Sequence, residues 1–540
     1  MFALAAAFPF LLLFLLLIIF KKPGYVATPI TFVATVIIAF FVWGMAPVWF
    51  LAASIKGFLV AFEIILIVFG AIFLLFTLKR AKAFLVIDSL LQTISKDRRI
   101  QAILIGWFFV SFIEGAAGFG TPAALAAPLL ASVGFPPLAA VALSLIGDST
   151  AVTFGAVGVP MIIGIGEGIN PNQTQNIASL VSEVSRTTAF LHLAIGLFVP
   201  LVISAFLTGI FGKSFRKGLE IWPFALVCGL SFTIPYFFVA QFLGPEFPSL
   251  VGSLLGGGFV VFLLKKGLFT PKRTWDFNEE WRNKSHIASG ISEAEDLQMQ
   301  SVFRALLPYA LIALILAVTR IEYLKIGGYL RSFSFSIESI LGTEIGHNLV
   351  LLYSPGVFFL LVTLFSFFLF QLKKSEALGL INLTFNKIFY PFITLFAVVA
   401  LVQVLIFSEH NVNDFPGMPF HLAQTAAVVF PGVWPLVAPL VGLFGGFMAG
   451  SSTVSNLLFA DFQLETATVL GFPVAFMLAL QSVGSAVGNM ISIHNVVTAA
   501  ATLGLHKEEG KIIRYNLLPA LGYSLAVGLL ALLLLALGIF

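Results

Sequence analysis

Charge is scarce in this chain. Only 10% of its 540 residues are Asp, Glu, Lys or Arg, against about a quarter in a soluble protein of this length, which excludes a solvated globular surface. Cysteine is nearly absent. Cys228 stands alone, ruling out an intramolecular disulfide and a cysteine metal cluster and leaving it as lipid-facing or core filler. The formal net charge of +4 does not point to nucleic acid, because the basic residues are scattered between apolar windows rather than clustered. Enzyme signatures are missing too: no His-Glu-x-x-His, no Walker glycine loop and no Gly-x-Ser-x-Gly. "GDSTA" at 147–151 comes nearest, but it ends in alanine and lacks an evident base. The expectation is a protein that is not an enzyme and uses no cofactor and no metal.

What is present is apolar. The chain is 59% hydrophobic with a mean hydropathy of +1.05. Uncharged windows of membrane-spanning length recur at 2–20, 26–55, 248–264, 348–372, 388–408 and 515–540. The fold class expected is an all-α polytopic membrane protein with about 12 or more transmembrane helices. No basic residue precedes the first window and Lys21 and Lys22 follow it, so it reads as a first transmembrane helix with Met1 outside rather than a signal peptide. On that premise 24 of the 29 basic residues fall on the cytoplasmic side, at 21–22, 79–99, 213–217, 265–304, 373–387 and 507–514. Lys56, Arg186, Arg320, Lys325 and Arg331 fall outside. Both termini are therefore predicted outside. The stretch 265–300 is predicted to be a cytoplasmic loop, read as a solvated connection between two halves, 1–264 and 301–540, rather than as a docking element.

Two regions do not fit simple hairpins of spans. One, 100–187, runs from an inside loop to an outside one, and the other, about 415–505, runs the opposite way. "VGFPPLAAVALSLIGDSTAV" (133–152) parallels "LGFPVAFMLALQSVGSAVGN" (470–489), and upstream of each lies a small-residue break, "GAAGFGTPAA" (115–124) and "AGSSTVSNLL" (449–458). Three apolar windows precede each region. Similar sequence in opposite orientation is the mark of two inverted-topology repeats with broken or re-entrant helices, and chance likeness among Gly/Ala-rich helices is the competing explanation.

Interrupted helices occur in lipid only where protein or a water-filled cavity satisfies the freed backbone. A half-helix that starts there offers unpaired N–H groups and about half a positive charge, a receptor for an anion. In the first break Gly115, Gly118, Gly120 and Thr121 are the candidates, with Thr121 a helix cap and Pro122 at the first helical position. In the second they are Ser451, Ser452, Thr453, Ser455 and Asn456, and Asn495 joins them downstream. Small-residue helix packing would use the same residue types.

Ionisable residues in these windows need a partner or a task. Glu114 is the only charged residue between Arg99 and Asp148. A carboxyl away from water favours its protonated form and a histidine titrates near neutrality, so Glu114, Asp148 and His494 are the candidates for proton coupling. A proton travelling with a carboxylate, itself ionised above about pH 4, makes the cargo neutral. Each has an alternative: Glu114 as a lock on the broken turn, Asp148 with Ser149 and Thr150 as a cap or sodium ligand, His494 as a ligand or a helix–helix hydrogen bond. Glu63 and His192 read as packing residues, with Glu63 a reserve proton site, and Asp461 and Glu465 as interfacial.

"FIEGAAGFGTPAALAAPLL", "LIGDSTAVTFGAVG", "GSSTVSNLLFA" and "QSVGSAVGNMISIHNVV" resemble the bacterial L-lactate permease family over most of the chain. The resemblance implies a proton symporter in the bacterial plasma (inner) membrane for lactate, glycolate and similar small 2-hydroxymonocarboxylates. Its partners would be the small carboxylate substrate, protons and the lipid bilayer, with no nucleic acid. It also implies kinship with transporters whose re-entrant tips carry Ser-Asn-Thr motifs and which move as elevators. Residues 451–456 match that tip loosely and 115–121 lack its asparagine. Sodium-coupled carboxylate or dicarboxylate transport is the alternative.

Overall fold

The computed structural model describes residues 2–20, 22–83, 94–118, 120–174, 176–271, 273–277, 281, 302–320, 325–505 and 508–540. Most of the predicted 265–300 loop lies outside them. The chain is 79% helical, as composition predicted. Among the described residues nine helices are long and apolar enough to cross a membrane, and ten if the bent pair Pro137–Asp148 and Val152–Ile165 is one span. Four shorter apolar helices, Phe2–Leu17, Thr121–Ser132, Pro355–Leu369 and Trp434–Ala449, accompany them. With these included the expected dozen or more is reached. The chain is a multi-pass membrane protein.

The N-terminal half contributes α1 (Pro47–Arg80), α2 (Arg98–Ala116), α3 (Thr121–Ser132), α4 (Pro137–Asp148), α5 (Val152–Ile165) and α6 (Ile177–Ile195). They are joined by α7 (Trp222–Phe242), α8 (Pro248–Lys265), α9 (Lys374–Ile406) and α10 (Trp434–Ala449). The last are α11 (Ser452–Leu470), α12 (Val474–Gly488), α13 (Ile493–Ala501) and α14 (Glu509–Ala536). Helices α2 and α3 form a hairpin, tied at its open end where the Arg98 guanidinium donates to the Val133 carbonyl. Helices α10 and α11 form a second, tied by Trp434 Nε1 to Gln463 Oε1 at 3.1 Å and by Ser455 Oγ to the Gly442 carbonyl at 3.1 Å. Each hairpin is followed by a tight GFP turn and a helix that breaks: α4 to α5 in one case, α12 to α13 in the other.

Two apolar cores result. The larger joins α2–α8 to α10, α12 and α14. The smaller joins the N-terminal helices, α1 and α9 to one face of α11, at Val454, Leu457, Leu458 and Phe459. Glycine lets these helices approach closely: a Cβ on Gly57 would meet the Ala400 backbone at 2.8 Å, and one on Gly147 would overlap the Gly106 carbonyl. That second crossing brings the C-terminal end of α4 against α2. Lys56, predicted in an outer connection, instead lies buried within α1 and pairs with Glu167 at 3.2 Å. The 34-residue length of α1 accommodates it, because a paired charge costs a long apolar helix far less than an isolated one.

Candidate functional site

Four chain breaks meet at one cavity. Glu114 and Gly120 reach it from the first hairpin, Val152, Gly155, Ala156 and Pro160 from the α4–α5 break, Gly450, Ser451, Ser452 and Thr453 from the second hairpin tip, and Asn489 from the α12–α13 break. The space between these residues, open solvent included, is about 310 Å³. The seam between the two cores passes beside it: Ala156, in its wall, belongs to the smaller core with Val454, while Phe154 and Val157 on either side of Ala156 in sequence belong to the larger.

The second tip is built to present amides. Gly450 turns the chain with φ +65°, a conformation that favours glycine. Ser451 is the N-cap of α11 and accepts from the Val454 N–H at 3.4 Å. That cap satisfies the third amide of α11, and the first two belong to Ser452 and Thr453, which line the cavity. Ser452 Oγ lies 2.5 Å from Ser485 Oγ. Asn456 donates to the Pro160 carbonyl at 3.0 Å, tying the second hairpin to the break after α4. Ser455 is held between Gly442 and Gln481, with the Gln481 Nε2 donating to it at 3.2 Å.

The first tip differs. The N-cap of α3 is Gly120, at φ +74°, with no side-chain cap. The Thr121 hydroxyl donates backwards to the Gly118 carbonyl at 2.7 Å, so it closes the break rather than capping α3 as predicted. Glu114 lies between the two breaks of its own module. A Cβ on Gly155 would overlap Glu114 Oε1, and one on Gly118 would come within 3.3 Å of it, so these glycines make room for the carboxyl. Its ionisable neighbour among the described residues is Asp148, whose carboxyl is buried and close enough to interact with it electrostatically. Asp148 Oδ1 has no hydrogen-bond partner among the described residues.

The α4–α5 break is held from behind. Trp107 Nε1 donates to Thr150 Oγ1 at 3.0 Å, Tyr236 OH to the Thr150 carbonyl at 2.9 Å and Ser249 Oγ to the Ala151 carbonyl at 2.7 Å. Thr153 Oγ1 lies 2.9 Å from His192 Nε2, whose Nδ1 is 2.7 Å from Tyr523 OH. His192 is thus a hydrogen-bonded packing residue, as expected. These side chains satisfy a backbone that lipid would leave unpaired. Beyond the break Ala156, Val157 and Gly158 are all left-handed, at φ +44°, +58° and +79°. For the first two that costs roughly 1–2 kcal/mol each, strain of the kind found beside functional sites.

A family model described as L-lactate permease matches residues 2–538. The chain belongs to the L-lactate permease family. It is 31% identical to a putative L-lactate permease of Haemophilus influenzae over 97% of each chain. It is 30% identical to the L-lactate permease of Bacillus subtilis, over 97% of this chain and 94% of that one. To the glycolate permease GlcA of Escherichia coli it is 28% identical, over 98% and 95%. A solved structure, the Alcanivorax borkumensis YdaH transporter, aligns with 73% of this chain and 88% of that one at 14% identity and a TM-score of 0.32.

Of the residues the sequence singled out in this family member, Glu114, Gly120, Ser451, Ser452 and Thr453 line the cavity and Asp148 adjoins it through Glu114. Gly115 packs against the Leu250 backbone of α8 and Gly118 against Ala156. Asn495 Oδ1 faces Gly120 without a hydrogen-bond partner. His494 is exposed beside Gly450 and does not line the cavity. Glu63 pairs with His347 at 3.2 Å. Asp461 is buried rather than interfacial, accepting from the Asn170 N–H at 2.7 Å, and Gln173 donates to Glu465. Asn489 and Val152 were missed. Both lie at the ends of the two parallel stretches, 133–152 and 470–489, and that parallel was the available signal.

Proposed function

We propose that the chain carries L-lactate and related small 2-hydroxymonocarboxylates such as glycolate, together with protons, across the bacterial inner membrane by alternating access. The observation that carries this reading is the meeting of all four breaks at one cavity with a buried pair of carboxyls at its edge. The Ser452 and Thr453 amides at the start of α11 receive the substrate carboxylate. The Glu114–Asp148 pair carries the companion proton, since two neighbouring carboxyls out of water do not both ionise. The names of the relatives supply the substrate class. The two halves, 1–264 and 301–540, act as inverted repeats with both termini outside, and movement of the larger core against the smaller along their seam exposes the cavity to each side in turn.

Sodium coupling is the weaker reading. Thr150 Oγ1 already accepts from Trp107, which leaves Ser149, donating its own proton to the Ile146 carbonyl at 2.8 Å, as the one hydroxyl of this pair with both lone pairs open to an ion. Uptake of labelled L-lactate into liposomes holding the purified protein, with an inward proton gradient and no sodium, tests the proposal. Accumulation that a protonophore collapses is expected. Uptake that waits for sodium overturns the proton assignment.

A further inference from the structure

The cavity has one wall that neither the anion nor the proton accounts for. Asn489 ends α12 at the α12–α13 break, is 7% exposed, lines the cavity and leaves its amide oxygen with no hydrogen-bond partner. A buried acceptor without a donor costs about 1–3 kcal/mol, so the site retains it only if something supplies that donor. An ionised carboxylate does not, because it only accepts. The substrate carboxylate is accommodated by the opposite chemistry, the N–H groups of Ser452 and Thr453. What remains on a 2-hydroxy acid is its hydroxyl, which donates. In the alignment of 133–152 with 470–489 the position opposite Asn489 is Val152, buried and also lining the cavity. The two broken spans therefore give the cavity one polar and one apolar wall.

We infer that Asn489 is the residue that reads the substrate's 2-hydroxyl: its amide oxygen accepts from that hydroxyl, while Val152 faces the carbon substituent. This rests on the transport reading. It predicts discrimination between acids that differ only in the hydroxyl, because a site built to bond a hydroxyl strands its own polar group when the hydroxyl is missing.

The test is inhibition of labelled L-lactate uptake in proteoliposomes by unlabelled glycolate against acetate, and by unlabelled lactate against propionate. The wild-type protein is expected to prefer the hydroxy acid in each pair by about fivefold or more, taking about 1–3 kcal/mol for the stranded acceptor. In Asn489→Ala that preference collapses towards unity, through weaker lactate and glycolate with acetate and propionate little changed. Asn489→Asp, which retains an acceptor, keeps more of the preference than alanine does and serves if the alanine variant does not insert. An unchanged preference in Asn489→Ala, or an equal loss for all four acids, overturns the assignment. No uptake of any of these acids by the wild-type protein overturns the transport reading itself, an outcome separate from a failure of Asn489.

Discussion

The two hairpin tips meet at one cavity yet are built from opposite materials. The first holds Glu114 in a cradle of glycines, faces it with Asp148 and adjoins a left-handed stretch at 156–158. The second holds no charge. Its facing pair is Ser452 and Ser485, its turn is a single glycine and its helix is capped by Ser451. An anion and a proton cannot be managed by the same groups: amides and hydroxyls suit the first, carboxyls the second. The difference between the tips fits the proposed division of labour, anion at one and proton at the other, which strict symmetry would not permit.

Changes that force the first tip open give the largest effect. In Gly155→Ala the new Cβ would overlap Glu114 Oε1, so carboxyl or backbone must shift, costing about 1–3 kcal/mol. Proton-driven uptake should fall by more than tenfold while protein remains in the membrane, measured as initial rate per folded transporter. Wild-type rates would mean that the carboxyl needs no fixed place.

A change at the second tip is milder. Ser452→Ala removes the 2.5 Å contact to Ser485, whose hydroxyl retains its bond to the Ser482 carbonyl at 2.8 Å. A neutral hydrogen bond contributes about 0.5–1.5 kcal/mol, so KM for lactate should rise roughly three- to tenfold with the pH dependence of uptake unchanged. A shifted pH profile would erase the division between the tips.

The smallest effect on transport belongs to a glycine far from both tips. Gly471 turns α11 into α12 with φ +72° and open space where a Cβ would go. Gly471→Ala should cost about 1–2 kcal/mol of stability from backbone strain alone, seen as a lower melting temperature, with KM and rate intact.

Much of this was legible in the sequence, for physical reasons that differ by residue. Glu114 stood out because charge is rare there, and the breaks stood out because Gly, Pro and Ser interrupt apolar periodicity. Lys56 misled because a lone lysine in an apolar window looks like a loop until its partner is known, and Glu167 lies 111 positions away. The supports of the α4–α5 break, Trp107, Tyr236, Ser249 and His192, come from four different helices and leave no local pattern. Asn489 was hidden because an asparagine at a helix end is commonplace. A place in the cavity wall together with an unfilled acceptor distinguishes it.

The central claim is that Glu114 carries the proton and does not merely lock the broken turn. The most direct test uses one preparation of Glu114→Gln in liposomes and two assays: lactate accumulation driven by a proton gradient, and exchange of labelled for unlabelled lactate with no gradient. The neutral amide keeps the shape but no longer takes up and releases a proton, so accumulation should vanish while exchange persists. Accumulation that survives, or loss of both assays together with loss of folded protein, would contradict the claim and leave Glu114 as a structural lock.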